Sequence, residues 1–242
     1  MPLYVQLKRL LEAQVSEGTL VPHSRIPSER ELSDHYTISR MTARRALAEL
    51  VQEGRLYTST GKGTFVAEPK IDQSVQALTS FTEDMQARGL IPSTRILRRE
   101  LTPASDIVAR SLWINAGDIV YRLERLRLAN GEPLALENAY LSFPGVEFFD
   151  GYDLEGSLYA MLRERFGLVP VEAIQEFEAR LPRSQERRLL KMNEGEPVLK
   201  LLRTTFNAEH NPFEVVQSIY RGDRYRFVAK LIRESTDGKS TT

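Results

Sequence analysis

The 242-residue chain has no cysteine, only three histidines and no surplus of charge, and each scarcity closes off chemistry. Without thiols there are no disulfides, thiolate metal sites or cysteine nucleophiles. His23, His35 and His210 are too far apart in sequence to suggest zinc-binding spacing, so neither a metal nor another cofactor is expected. No apolar run approaches the length of a membrane span, and Met1-Pro2-Leu3-Tyr4 does not open a signal peptide, so a cytoplasmic protein with no membrane partner is expected. The 33 Lys and Arg balance 33 Asp and Glu, a poor composition for coating nucleic acid without sequence preference. What remains, 41% hydrophobic and 27% charged residues, describes an ordinary globular chain long enough for two modest domains.

The densest pattern runs from Pro27 to Val66. Pro27-Ser28-Glu29-Arg30 opens a helix, and Ser28 with Glu31 has capping-box spacing. After Tyr36-Thr37-Ile38 a second helix starts, capped by Ser39. Ala43, Ala46, Leu47, Leu50 and Val51 form its buried face, leaving Arg40, Thr42, Arg44 and Arg45 available near its start. Guanine O6 and N7 are paired acceptors in the DNA major groove, which an arginine fork can read, while Ser39 and Thr42 hydroxyls suit phosphates or base edges. Gly54 ends the helix. Leu56 to Ser59 and Thr64 to Val66 then read as short strands about Thr60-Gly61-Lys62-Gly63, a turn that permits positive φ and puts the Lys62 cation at its tip. Helix, turn, arginine-bearing helix and hairpin together describe a winged helix-turn-helix. An earlier helix marked by Leu3, Leu7, Leu10, Leu11 and Val15, ending near Gly18, covers the pair. Residues 1–70 carry ten Lys and Arg against eight Asp and Glu, an excess of two, so a local patch must do the electrostatic work.

These patterns give an α+β organisation: a DNA-binding domain over 1–67, a polar linker over 68–77, a second domain over 78–235, and a disordered tail over 236–242. The second domain contains a degenerate duplication. A helix near Ser105 to Trp113 leads through Asn115-Ala116-Gly117-Asp118 to a strand ending at Leu128, a turn at Asn130-Gly131 and a returning strand. Gln185 to Met192, Asn193-Glu194-Gly195-Glu196, the strand to Phe206 and the strand after Pro212 repeat that plan. Two such units suit one antiparallel sheet with helices on one side and a ligand pocket between the halves.

Several residues are suited to hold that ligand. Ser80-Phe81-Thr82-Glu83 has capping-box spacing and starts a helix whose amide end favours anions. Arg125 and Arg127 are two apart on a strand and share a face, as a phosphate or carboxylate clamp requires. Ser157 and Tyr159 at another helix start add hydroxyls, and Glu214, Val216, Ser218 and Tyr220 fall on one side of the last long strand. Glu137 tests the register. With a two-residue turn at Asn130-Gly131 it falls opposite the arginine face; with Gly131 as the bulge residue of a three-residue loop all three share a face.

PSERELSDHYTISRMTARRALAELVQEGRLYTSTGKGTFV, LTSFTEDMQARG, RLERLRLANGEPLALE and SIYRGDRYRF together resemble the GntR family of bacterial transcription regulators, in its HutC branch with a UTRA effector domain. The resemblance implies a chorismate-lyase-like antiparallel sheet flanked by helices, and is strongest to the branch's amino-sugar-utilisation repressors, whose effector is glucosamine 6-phosphate or N-acetylglucosamine 6-phosphate. It implies that Ser80, Phe81, Thr82, Arg125, Arg127, Ser157 and Tyr159 surround the phosphate and that Glu137, Glu214 and Tyr220 approach the sugar, which favours the bulged turn. It assigns Arg30, Ser39, Arg40, Thr42, Arg44 and the wing from Gly61 to Gly63 to operator contact, and because one recognition helix covers only a half-site, a homodimer on a palindromic operator is expected. Ordering of the loops around Ser80 and Tyr220 would then pass through the connector from Ala67 to Ala77 and reorient the winged domains. The family's metal-binding branch needs several histidines in its effector domain, whereas His210 is alone beyond residue 70. Two other readings compete: a sensor of another small anion, such as a different sugar phosphate or a urocanate-like carboxylate, and an enzyme using Glu137 and Glu214 as an acid/base pair.

Overall fold

The computed structural model describes residues 1–59 and 61–231 and divides into two compact units, Met1–Ile71 and Asp72–Thr242. Thr60, the last residues of the expected second domain and the expected tail over 236–242 lie outside the described residues.

In the first unit α1 (Leu3–Ser16), α2 (Glu29–Tyr36) and α3 (Arg40–Gln52) precede a hairpin of β1 (Leu56–Ser59) and β2 (Gly63–Val66). The Ser28 capping box closes in both directions: Ser28 N donates to Glu31 Oε2 at 2.7 Å and Glu31 N to Ser28 Oγ at 3.3 Å. α2 stops at Thr37, a non-glycine residue held at φ 53°, and the Ser33 hydroxyl donates to the Ile38 carbonyl at 2.6 Å. That bond satisfies an acceptor the turn would otherwise leave open. Ala43 and Ala46, fully buried, let α3 approach α1 and α2 closely over Leu7, Leu11, Leu32, Leu47 and Leu50. Leu3 and Leu10 of α1 do not join them and are exposed, because the buried stripe follows the i to i+4 spacing of Leu7 and Leu11.

The second unit is built on a six-stranded antiparallel sheet in the order β4-β5-β6-β9-β8-β7. Its strands are β4 (Pro92–Pro103), β5 (Ile119–Ala129), β6 (Glu132–Leu141), β7 (Glu172–Arg180), β8 (Val198–Phe206) and β9 (Pro212–Arg221), with α4 (Phe81–Ala87), α5 (Asp106–Leu112), α6 (Leu158–Phe166) and α7 (Ser184–Leu189) around them. The duplication is visible as β4-α5-β5-β6 against β7-α7-β8-β9, each group filling half of the sheet, with β6 and β9 paired at the centre.

Helices cover both faces, not one side. Leu158 and Leu162 of α6 pack with Tyr121, Leu123 and Leu141, whereas Val108 and Leu112 of α5 pack with Val120 and Val215 on the opposite face. Leu189 and Leu190 at the end of α7 join Leu126, Leu136 and Ile219 on that same opposite face. Alternate residues on both sides of β5 are apolar, so neither face is suited to water.

The segment expected to be a polar linker contains a strand. β3 (Ile71–Ser74) pairs with β10 (Tyr225–Val228), and Arg226 holds Asp72 with two bonds of 2.8 and 2.7 Å. Its alternation of buried Ile71 and Gln73 with exposed Asp72 and Ser74 is a strand pattern. The pairing partner lies roughly 150 residues away in sequence, which is why a local reading sees only polarity.

Candidate functional site

Register decides what β5 and β6 bring together. Asn130 and Gly131 have φ of 50° and 78°, the signature of a two-residue hairpin turn. The extra residue is Leu134: Leu128 faces Pro133 and Arg127 faces Ala135. This corrects the bulge expected at Gly131, yet Arg125 stands directly opposite Glu137, so Arg125, Arg127 and Glu137 share a face. A bulge anywhere between the turn and Glu137 reverses side-chain parity; this one is buried and apolar, with no glycine to mark it.

On that face lies a cavity whose free volume is only about 30 Å³, lined by Ser80, Phe81, Arg125, Arg127, Glu137, Tyr159, Glu214, Ser218 and Tyr220. It has room for about two waters. Glu137 Oε2 accepts from Arg125 Nη2 at 2.9 Å and from Arg127 Nη1 at 3.4 Å. Arg127 Nη2 donates to Thr82 Oγ1 at 2.8 Å and its guanidinium lies 4.7 Å from the Phe81 ring centre. Ser80 caps α4 with a reciprocal Glu83 box, Ser157 caps α6, and the two hydroxyls are 3.3 Å apart. Thr82 and Ser157 thus stand behind the cavity wall, attached to it through Arg127 and Ser80. Tyr159 and Thr205 both donate to Glu214 Oε2, at 2.8 and 2.9 Å.

Residues that sequence reasoning missed also line the cavity, chiefly Gln73, Thr79 and Arg203. The duplication itself carried the signal for Arg203. It follows Gly195 by eight residues as Arg125 follows Gly117 by eight, and Thr205 corresponds in the same way to Arg127. Gln73 belongs to β3 and left no comparable trace.

The electrostatics favour an anion. Three arginines and two glutamates line the wall, so the cationic excess is at least one. Burial pulls Arg127 down from the ordinary arginine range to about 10, against the attraction of Glu137. Burial raises Glu137 too, but Arg127, Arg125 and Arg203 outweigh it and hold the carboxyl below its usual range. Glu214 goes the other way: burial pushes it up, past the hydrogen bonds from Thr205 and Tyr159 and the pull of Arg203. The two carboxyls of one pocket are therefore driven apart.

In the first unit the Ser39 hydroxyl accepts from Thr42 N at 3.0 Å and lies 2.8 Å from Thr42 Oγ1. Arg40 is exposed beside them. The next two arginines are engaged: Glu29 accepts from Arg44 Nε with both oxygens at 2.9 and 3.0 Å, while Arg45 lies over the Tyr4 ring at 3.8 Å, donates to its hydroxyl at 3.1 Å and reaches Glu49 at 3.4 Å. Arg45 is thereby turned toward α1, and Arg30 pairs loosely with Asp34 at 3.7 Å. In the wing Gly61 and Gly63 have φ of 74° and 117°, and Lys62 is exposed. A Cβ on Gly63 would meet Arg25 Nε at 3.2 Å, so that exposed arginine, not anticipated from the sequence, lies beside the wing.

A winged helix-turn-helix joined to a second domain with a buried polar cavity is the architecture of a DNA-binding regulator. Residues 3–66 match the bacterial regulatory proteins of the gntR family and residues 87–226 match the UTRA domain. The chain belongs to the GntR family of transcription regulators, in the HutC branch, and is not an enzyme. It is 39% identical to the HTH-type transcriptional repressor NagR of Bacillus subtilis, over 97% of this chain and 96% of the relative. The histidine utilization repressor of Pseudomonas putida is 32% identical over 95% and 92%. The crystal structure of PhnF from Mycobacterium smegmatis aligns with a TM-score of 0.65 at 30% identity, covering 96% of this chain and all of that one. The chain is accordingly a GntR-type transcriptional repressor that binds operator DNA. Among the described residues no helix is long and apolar enough to cross a membrane.

Proposed function

We propose that this repressor acts in the cytoplasm as a homodimer on a palindromic operator, and that glucosamine 6-phosphate or N-acetylglucosamine 6-phosphate relieves its grip. The observation that carries this reading is the buried arginine pair on β5, which faces Glu137 and adjoins the Ser80 and Thr82 hydroxyls. Two guanidinium forks beside hydroxyls suit a phosphate better than a neutral sugar. Glu214, Ser218 and Tyr220, strung along β9, supply acceptors and hydroxyls for the ring's donors. The 39% identical NagR repressor supports the same choice.

On α3, Arg40 is the candidate base reader, because it is exposed and no group among the described residues competes for its fork. Ser39, Thr42 and the wing at Gly61, Lys62 and Gly63 meet the sugar-phosphate chain. Arg44, held by Glu29, is presented in a fixed position, and Arg30 on α2, paired only loosely with Asp34, adds a further cation. One recognition helix covers a half-site, so two-fold DNA calls for two copies of the chain.

The effector acts through its differential affinity for two arrangements of the protein. A void of about 30 Å³ does not hold a hexosamine phosphate, so binding requires the wall to move. Gln73 lines that wall and lies on β3, at the start of the second unit; the chain running back from it to Ala67 carries the change to the DNA-binding unit.

Thermal-shift titrations test the assignment. The two hexosamine 6-phosphates should stabilise the protein, whereas glucosamine, N-acetylglucosamine and urocanate should not. Stabilisation by urocanate alone would replace the phosphosugar with a carboxylate effector.

A further inference from the structure

Glu137 is shared by Arg125 and Arg127 as an acidic partner, and it serves both with a single oxygen, Oε2, at 2.9 and 3.4 Å. The side chains of Arg125, Arg127 and Glu137 are all buried, at 5%, 2% and 9% exposure. Two cations sharing one anion leave a positive charge uncompensated, and the Nε atoms of both arginines are buried without a hydrogen-bond partner among the described residues. One carboxylate oxygen therefore does poorly what a tetrahedral anion with several oxygens would do well. Glu137 stands where that anion belongs, and the arginines keep it ionised.

We propose that Glu137 is a built-in counter-anion that sets the pocket's selectivity: it excludes inorganic phosphate and admits only phosphate esters whose carbon skeleton carries hydroxyl or amino donors. This rests on the phosphosugar reading and deepens it. A bare phosphate ion must push Glu137 off both arginines and brings no carbon-borne donors to replace them, so the buried carboxylate loses its two charged partners at a cost that opposes the gain. A phosphorylated amino sugar does two things together. Its phosphate takes the two guanidiniums, and its ring donors take over the released carboxylate. Glu137 is placed for that exchange, since its β6 position is in register with Ser218 of β9 on one side and with Arg125 on the other.

The test compares full-length wild type with Glu137→Gln, titrating sodium phosphate against sodium chloride at matched ionic strength by isothermal calorimetry and by melting. Wild type should bind inorganic phosphate negligibly, and Glu137→Gln should bind it at least tenfold more tightly. Glu137→Asp, which retains the charge but shortens its reach to the arginines, should fall between them and serves if the glutamine variant does not fold. Equal phosphate binding by wild type and the folded variants, or tight binding by wild type itself, overturns the proposal. A parallel titration of wild type with glucosamine 6-phosphate separates the two readings. If it binds while the variants gain nothing for inorganic phosphate, only the counter-anion role fails; if it does not bind while the variants gain phosphate, the arginine site stands and the amino-sugar assignment falls.

Discussion

Replacing Arg127 by methionine should abolish the effector response and leave the protein no less stable. The side chain is almost wholly buried, and its fall from the ordinary arginine range to about 10 corresponds to a net cost of roughly 3 kcal/mol for holding the charge in place, with the attraction of Glu137 already counted. Methionine of similar length removes that cost. It forfeits the 2.8 Å bond to Thr82, which has a charged donor and is worth about 1.5 to 3 kcal/mol, while Glu137 keeps Arg125 at 2.9 Å. The balance runs from about zero to about 1.5 kcal/mol in favour of the variant, a rise of at most about 3 to 6 °C in melting midpoint. Because the arginine's folded-state value is depressed, its cost is fully present at neutral pH and is relieved as pH rises through about 10. The advantage of Arg127→Met should accordingly be flat from pH 6 to 9 and shrink in stronger alkali. Two charge-assisted bonds lost to the phosphate, at about 1.5 to 3 kcal/mol each, weaken hexosamine 6-phosphate binding at least about 100-fold. Differential scanning fluorimetry with and without ligand reads both effects. A midpoint lowered by more than about 10 °C would show that Arg127 holds the sheet together and is no surplus cation, and an unchanged ligand response would remove it from the phosphate site.

Other expectations follow from the same geometry. Arg40→Ala should lose about 1 to 3 kcal/mol of operator affinity and relax preference at one base pair, whereas a uniform loss across sequences would make Arg40 a phosphate contact. Arg45→Ala should weaken operator binding less than Arg40→Ala, since its guanidinium is spent on Tyr4 and Glu49; competition anisotropy ranks the two, and the reverse order contradicts the structure. Burial raises the folded-state value of Glu214, so its contribution to stability is present below the unfolded carboxylate value and lost as pH rises through the folded one. Glu214→Gln keeps an acceptor for Tyr159 and Thr205 and cannot ionise, so melting curves should show it matching wild type at pH 4 and exceeding it at pH 8; parallel curves across that range would contradict this.

Much of the architecture was legible because local chemistry announces it. Ser28 and Ser80 begin helices whose N-terminal amides need acceptors, and the sequence supplies the serine and glutamate at the required spacing. β9 was readable as a face because period-two alternation holds from Glu214 to Tyr220. The parity of Glu137 was not, since Leu134 makes a bulge inside a run of apolar residues that looks the same with or without it. β3 was hidden because its partner strand is distant in sequence and its composition is polar. Arg44 and Arg45 looked equally free on a helical projection; only the approach of Glu29 and Tyr4 distinguishes them from Arg40. The leucines of α1 were over-read in the same way, since Leu3 and Leu10 lie outside the stripe that meets α3.

The proposed function depends on a coupling between pocket and operator. It is tested most directly by titrating full-length protein into a fluorescent palindromic site from its own upstream region, with and without saturating glucosamine 6-phosphate at fixed salt. The ligand should weaken binding at least tenfold, a coupling of about 1.4 kcal/mol or more. Identical binding curves, with calorimetry showing the pocket filled, would contradict it.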